Sequence, residues 1–318
     1  MSDSRDLTPD MLKEIKKGTK IQGVLLCQSY TVALTKAGKE YVTGNFQSGM
    51  NIAFKAWNSS DAFGALKKEN YQGLPVYITG EGDDFGGTIS ITLDTISAVD
   101  GFIADMFYPV RYNIDAYWTA LINTFKSKTS DKAMEIANIV LFQNADTAER
   151  FKVEFAATSH HDNCKSGLLA HTYKVVYNVA HLLSMYPSIP QTAGGNDYTD
   201  IIYLGALLHD IGKIDEMKFG VYQPESCVTH RYLGLQRVMQ FKDKIVELYG
   251  EKLYLELVSI MLQHHGDYAE PCKTISAYIV HKADEWDSVF TVIAHGMEAM
   301  IDTAVEHKIK VNDNYLTF

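Results

Sequence analysis

The sequence predicts a multidomain chain of mixed α and β structure: a small β-barrel over residues 18–100, then an all-α helical bundle over 115–318. Three observations predict it. Apolar residues alternate with polar ones in short runs separated by glycines up to Val99, which is the period of half-buried strands. Beyond Pro109 the period becomes helical and holds to about residue 307. The hydrophobic content of 46% against 21% charged residues is that of a globular protein with a buried core, and 318 residues allow about two domains.

Residues 1–17 read as a short polar helix, opened by Thr8-Pro9-Asp10 and closed by Lys16-Lys17. They contain no apolar stretch of the signal-peptide kind. Strands are expected at 20–28, 30–34, 40–46, 51–57, 74–80 and 88–99. Gly38, Gly49, Gly73, Gly82 and Gly86-Gly87 punctuate them, and one short helix, 61–70, intervenes. About five strands around one helix suggest an OB-fold barrel. Such barrels hold single-stranded nucleic acid on exposed aromatics and a basic track. Tyr41, Lys55 and Trp57 are the substrate-binding candidates; Tyr30, Lys36, Lys39, Phe46 and Phe54 share the same stretch. Alternating residues must point inward, so Phe46 and one of Phe54 and Trp57 are expected in the core.

Residues 101–114 form a linker. Amphipathic helices follow at 115–124 and 130–143, then at 166–185, where Leu168, Leu169, Val175, Val176, Val179, Leu182 and Leu183 make an apolar stripe and Ser166 can cap. Residues 187–199 read as a loop. Further helices are expected at 201–209, 229–249, 254–265 and 274–306.

The four cysteines form no C-x-x-C pair, so reduced thiols and a cytoplasmic location are expected. No apolar run reaches the ~20 residues of a membrane span. The net charge of −10 opposes unspecific binding to a polyanion but leaves room for a local basic groove.

The chemistry concentrates at Leu207-Leu208-His209-Asp210-Ile211-Gly212-Lys213. Imidazole and carboxylate suit Mn, Fe, Co, Ni or Zn, and the two oxygens of Asp210 can reach two ions. A lone His-Asp pair is usually a surface pair or a cap, and a lone histidine such as His171 is usually a satisfied core residue. Here, however, His171 precedes the pair, and His230, His264-His265 and Asp284 follow it. On a regular helix adjacent histidines point ~100° apart, so His264 and His265 can share an ion only at a helix end, which Gly266 could supply. Lys213 is a candidate phosphate contact, or else a lysine answering the helix dipole.

This ordered series resembles the HD-domain metal-dependent phosphohydrolases. The resemblance implies that His171, His209, Asp210 and Asp284 hold one metal. It also implies that Asp210, His230, His264 and His265 hold a second, with Asp210 and Lys213 the catalytic residues. Two ions about 3.5–4 Å apart activate water and polarise a phosphoryl oxygen. A closer resemblance lies in the pair His160-His161 followed by Gly167-Leu168-Leu169-Ala170-His171-Thr172, in Gln263-His264-His265-Gly266, in His281, Asp284 and Asp287 at intervals of three, and in a tryptophan in a barrel strand. Together with the barrel, these are similar to the YhaM family of 3′–5′ exoribonucleases. The stretch 187–199 is longer than that pattern needs, and Val221–His230 contains proline and cysteine rather than glycine.

The resemblance implies a phosphodiesterase trimming single-stranded RNA, with single-stranded DNA as a second substrate, to 5′-mononucleotides. One or two divalent ions would serve it, with Mn favoured. The resemblance does not fix the role of His160 and His161, for which a phosphate or base contact near the metals is expected, and Asp287 is expected either on the substrate side or behind a metal-binding residue. A homo-oligomer is compatible with the sequence. Two other functions fit parts of it: an HD enzyme acting on a small nucleotide (cyclic nucleotide, cyclic dinucleotide, dNTP or guanosine polyphosphate), and a non-catalytic nucleic-acid-binding factor. Arg231-Tyr232-Leu233-Gly234 after His230 lacks the Gly-Tyr-Pro of cyclic-di-GMP enzymes, and a complete ligand series speaks against lost catalysis.

Overall fold

The computed structural model describes residues 7–85, 88–102, 104–158, 162–300, 308–311 and 314–317. The chain divides into two units, Met1–Val110 and Arg111–Phe318.

In the first unit, helix α1 (Pro9–Lys13) is capped by Thr8, whose Oγ1 accepts from the Met11 amide. Leu7, Leu12 and Ile15 around it are buried in the core of the barrel. The barrel strands are β1 (Lys20–Leu34), β2 (Glu40–Gln47), β3 (Asn51–Trp57), β4 (Leu74–Phe85) and β5 (Thr88–Ala98), with helix α2 (Asp61–Lys68) between β3 and β4. They close in the order β1-β2-β3-β5-β4, with only β3 and β5 parallel. That order, with its helix, is the OB-fold. The two strands expected at 20–28 and 30–34 are one strand, bulged between Cys27 and Ser29. The bulge bends β1, so that its first half pairs with β4 and its second with β2. Phe46 and Phe54 stack inside at 4.2 Å between ring centroids, and Trp57 faces outward. After β5, part of the expected linker packs down: Phe107 and Tyr108 are buried, and the Phe107 carbonyl accepts from the Gly49 amide at 2.6 Å.

The second unit begins with α3 (Ile114–Lys128), α4 (Asp131–Ala137) and α5 (Ala145–Val153). Where one helix was expected over 130–143, α4 gives way to a π-helical turn at Asn138–Phe142. Helix α6 (Gly167–Met185) buries the stripe Leu168, Leu169, Val175, Val176 and Val179; each such side chain contributes about 1.5–3 kcal/mol. Ser166 does not cap it. Its φ is +68° and its Oγ has no hydrogen-bond partner. The carbonyls of Cys164 and Glu154 take the first amides, Gly167 and Leu168, instead.

The expected loop 187–199 is mostly helical: α7 (Ser188–Ala193) and α8 (Gly195–Leu208) meet at the Gly194-Gly195 pair. From Ile201 to Leu208, helix α8 is apolar all round and buried, as suits the central helix of a bundle. At its N-terminal end the buried Asp200 carboxylate accepts from the Ser130 amide and hydroxyl and from the Tyr249 hydroxyl. A short helix, α9 (Lys213–Glu216), leads into a hairpin, β6 (Met217–Lys218) and β7 (Val221–Tyr222), that the sequence reading missed. Phe219 and Gly220 turn it with positive φ, and the Glu154 carboxylate accepts both of their amides.

The helix expected over 229–249 breaks after α10 (Thr229–Met239). Helix α11 (Lys242–Gln263) is itself interrupted at Gly250, where φ is +79°. Helix α12 (Ile275–Met300) and the hairpin β8 (Lys308–Val311) and β9 (Asn314–Thr317) complete the described chain.

Candidate metal centre

Five helices of the second unit bring their histidines and carboxylates to one buried point. His171 comes from α6, His209-Asp210 follows α8, His230 begins α10, His264-His265 follows α11, and Asp284 lies on α12. His171, His209 and His264 are fully buried, and Asp210 nearly so.

Asp210 divides the cluster in two. Its Oδ2 lies 3.4 Å from both His171 Nε2 and His209 Nε2, and His171 Nε2 is 3.2 Å from Asp284 Oδ1. Its Oδ1 lies 3.4 Å from His230 Nε2 and 3.6 Å from His264 Nε2, and His230 Nε2 is 3.2 Å from His265 Nε2. The chain therefore forms two nests of donor atoms that share one carboxylate.

The outer ring nitrogens fix the tautomers. His209 Nδ1 faces the Ala206 carbonyl at 2.9 Å, and His264 Nδ1 faces the Met261 carbonyl at 3.1 Å. A carbonyl only accepts, so these nitrogens carry the proton. His171 Nδ1 meets Asp287 Oδ2 at 2.6 Å, and His230 Nδ1 meets Glu216 Oε2 at 2.9 Å, both carboxylate acceptors. In the neutral rings all four Nε2 lone pairs then point inward. Two inward atoms, Asp210 Oδ1 and His264 Nε2, have no hydrogen-bond partner. Buried orphans are costly, and two acceptors aimed at one point are what a cation satisfies. The residues present fit divalent metal ions.

The charge states agree. Burial, with neighbouring histidines, keeps His264 (pushed down to about 4) and His265 (about 3) neutral and able to donate a lone pair. Burial also disfavours a charged His171, but Asp210, Asp284 and Asp287 outweigh it and raise its proton affinity. Without ions, a proton on His171 answers those carboxylates; metal uptake displaces such protons.

Local backbone explains the placement. Helix α11 ends at Gln263, and Gly266, with φ +57°, turns the chain there. The adjacent rings of His264 and His265 consequently stand 89° apart and both reach the site. Gly212 is needed for space: a Cβ there would lie 2.0 Å from the His230 carbonyl oxygen. This close approach brings His230 alongside Asp210.

Lys213 is engaged with the protein itself. Its ammonium sits 2.6 Å from Asp210 Oδ2 and donates to the Ala156 carbonyl at 2.6 Å. Asp287 lies behind His171 rather than among the inward donors. His160 and His161 lie outside the described residues. Tyr41, Lys55 and Trp57 belong to the first unit, on the outer face of β2 and β3. Tyr41 and Trp57 are cross-strand partners with centroids 5.2 Å apart. Sequence reasoning missed Glu216, Lys174 and Asp162. Lys174 sits one turn after His171 on the same helix, but its spacing alone is that of an ordinary helix-surface charge.

Residues 168–288 match the HD domain, and the span contains every inward-facing histidine and carboxylate described above. Over 95% of its length the chain is 23% identical to the 3′–5′ exoribonuclease YhaM of Shouchella clausii, covering 94% of that protein. It is 25% identical to the YhaM of Bacillus subtilis over 91% of this chain and 90% of that one. A stretch of 141 residues is 33% identical to a dihydroneopterin 2′,3′-cyclic phosphate phosphodiesterase of Methanocaldococcus jannaschii, covering 44% of this chain and 53% of that protein.

Proposed function

From a chain that carries an HD domain and is similar along both of its units to 3′–5′ exoribonucleases, we propose a metal-dependent phosphodiesterase that shortens single-stranded RNA from its 3′ end. Single-stranded DNA is the secondary substrate and 5′-mononucleotides are the products. The observation that carries this is the pairing of an OB barrel with a split donor cluster in one chain that a YhaM exoribonuclease matches over 95% of its length. A small-nucleotide enzyme needs the second unit alone; the barrel favours a polymer.

His171, His209, Asp210 and Asp284 would hold one divalent ion, and Asp210, His230, His264 and His265 a second. The N/O donor set suits Mn²⁺ among other first-row ions. The chemistry such ions supply is activation of water and neutralisation of charge on the phosphoryl oxygens. The chain's own groups set this up. Glu216, Asp287 and two backbone carbonyls hold the imidazole protons on the outer nitrogens. Asp210 keeps both nests at a fixed spacing. Two of the three donors of Lys213 are engaged, and the third supports a phosphate contact. In the barrel, Tyr41 and Trp57 offer faces for base stacking, with Lys55 beside them for the backbone.

Among the described residues no helix is long and apolar enough to cross a membrane. The four cysteines are unpaired, which supports a reducing, cytoplasmic setting. The test is a 5′-labelled single-stranded RNA incubated with and without Mn²⁺, beside Asp210→Asn. We expect a metal-dependent ladder shortening from the 3′ end, absent in the variant. Cleavage of a nucleoside 2′,3′-cyclic phosphate with the RNA left intact would overturn the assignment.

A further inference from the structure

Behind His171, on the side away from the inward donors, lies a second buried cluster: Asp162, Asp287 and His171 Nδ1 could together hold a cation. Both carboxylates are buried, Asp162 completely. Two adjacent buried anions repel each other and are tolerated only when neutralised.

The neutralising charge is a side chain. Lys174 Nζ lies 2.8 Å from Asp162 Oδ2 and 3.0 Å from Asp287 Oδ1, and it donates to Thr291 Oγ1 at 2.7 Å. All three ammonium protons are thus used. Thr291 in turn donates to Asp287 Oδ1 at 2.9 Å. Asp287 is held on one oxygen by Lys174 and Thr291, while its other oxygen takes the His171 proton. Asp162 also accepts from the Tyr112 hydroxyl, and its own carbonyl accepts from the Ala156 amide.

We infer that Lys174 is the built-in cation of this centre: a positioning residue that locks Asp287 onto His171 and pins the segment around Asp162 to the metal site. The geometry gives it both tasks at once. Without the ammonium, Asp287 faces Asp162 unscreened and is free to rotate off His171 Nδ1. The ring then loses the partner that fixes its tautomer and orientation. Asp162 would lose one of two lysine latches that hold it and Ala156. The other is Lys213, which joins Asp210 to the carbonyl of Ala156. The two lysines therefore tie Asp162 and the Ala156 carbonyl to two carboxylates, Asp287 and Asp210 Oδ2, that both lie on the His171 side of the centre. Neither link is visible in the spacing of the metal-binding motif.

This inference rests on the metal-centre assignment, and its test separates the two. Mn²⁺ is titrated into the full-length apoprotein by calorimetry, with bound equivalents counted after dialysis, for the wild type, Lys174→Met, Lys174→Arg and Thr291→Val. Amide exchange of residues 153–158 and 162–168 is followed in parallel. In Lys174→Met we expect the ion held by His171 to bind about 10–100-fold more weakly, as for loss of other groups that orient ligands. The ion held by His230, His264 and His265 should bind as before, and exchange should quicken around Asp162. Lys174→Arg should restore most of the affinity, because it restores the charge, and Thr291→Val should weaken the same ion by a smaller factor.

Unchanged affinity and exchange in Lys174→Met would overturn the inference while leaving the metal centre intact. Should Lys174→Met not fold, Thr291→Val decides alone: wild-type affinity there overturns the inference equally. A wild-type protein that takes up no Mn²⁺ at all defeats the metal-centre assignment instead, and this inference with it.

Discussion

Glu216 grips His230 at two points. Its Oε1 accepts the His230 backbone amide at 2.9 Å, and its Oε2 lies 2.9 Å from the ring Nδ1. One buried carboxylate thus sets both where α10 begins and which nitrogen of His230 faces Asp210. Replacing it with Gln keeps an acceptor for one contact and removes the charge from both. We expect Glu216→Gln to bind Mn²⁺ about 10–100-fold more weakly. Nuclease activity should return as the metal concentration is raised. A loss of rate that excess Mn²⁺ does not relieve would assign Glu216 to the reaction itself rather than to orienting His230.

Much of this cluster was legible in the sequence because His171, His209, Asp210, His230, His264, His265 and Asp284 form an ordered series that resembles a known metal-site pattern, and the fold brings these side chains together. The groups behind them show no such pattern. Glu216 and Lys174 look like ordinary helix-surface charges, and only the folding back of α10 and α12 shows what they touch. The fold divides the same way. Alternation in β3 distinguished inward Phe54 from outward Trp57 once the closed barrel gave the strand an inside. The bulge at Cys27–Ser29 and the turn at Phe219-Gly220 carry no strong local signal, since neither Ser29 nor Phe219 is a typical residue for its position. The stretch 187–199 was misread because Gly, Pro and Thr argue for a loop, whereas burial of Tyr198, Ile201 and Ile202 against the bundle outweighs those propensities.

Tyr41 and Trp57 face outward from adjacent strands, and Trp57 is 37% exposed. Neither fills the barrel core, so truncating Trp57 should leave folding intact. We expect Trp57→Ala to weaken binding of a single-stranded oligonucleotide by about 1–3 kcal/mol, the contribution of one stacked base. Cleavage of a dinucleotide should stay at the wild-type rate. Fluorescence anisotropy with a labelled oligonucleotide checks the first point and product counting the second. Equal losses on both substrates would place Trp57 in a structural role.

Gly212 occupies its position because nothing larger fits. Its φ is −68°, which any residue adopts, but a Cβ would meet the His230 carbonyl oxygen at 2.0 Å and the Gly234 amide nitrogen at 2.3 Å. Both neighbours are backbone and cannot swing aside. Gly212→Ala therefore has to push α10 away from Asp210 or fail to fold. We expect a loss of about 1–3 kcal/mol from overpacking, read as a lower urea midpoint, with weaker binding of the ion that needs His230. Wild-type stability together with wild-type metal affinity would show that α10 moves without cost.

Asp215 carries a pH-dependent share of the stability of the helical unit. Burial pushes its carboxyl up, but Arg237 and Arg150 outweigh that and hold it below the usual carboxylate range. Arg237 donates to it through Nε at 2.5 Å and Nη2 at 2.7 Å, and Arg150 through Nη2 at 3.0 Å. The pair joins α5 and α10 to the segment just after Lys213. Because the folded pKa is the lower one, this stabilisation is fully present above the unfolded value of about 3.9 and is lost as pH falls through the folded value. Asp215→Asn should cost about 2 kcal/mol at pH 7, the scale of charge-assisted hydrogen bonds. The gap between variant and wild type should narrow progressively below about pH 4. Urea unfolding at a series of pH values measures that gap directly. A gap constant from pH 7 to the acid limit would mean that Asn replaces the carboxylate's hydrogen bonds and that its charge contributes nothing.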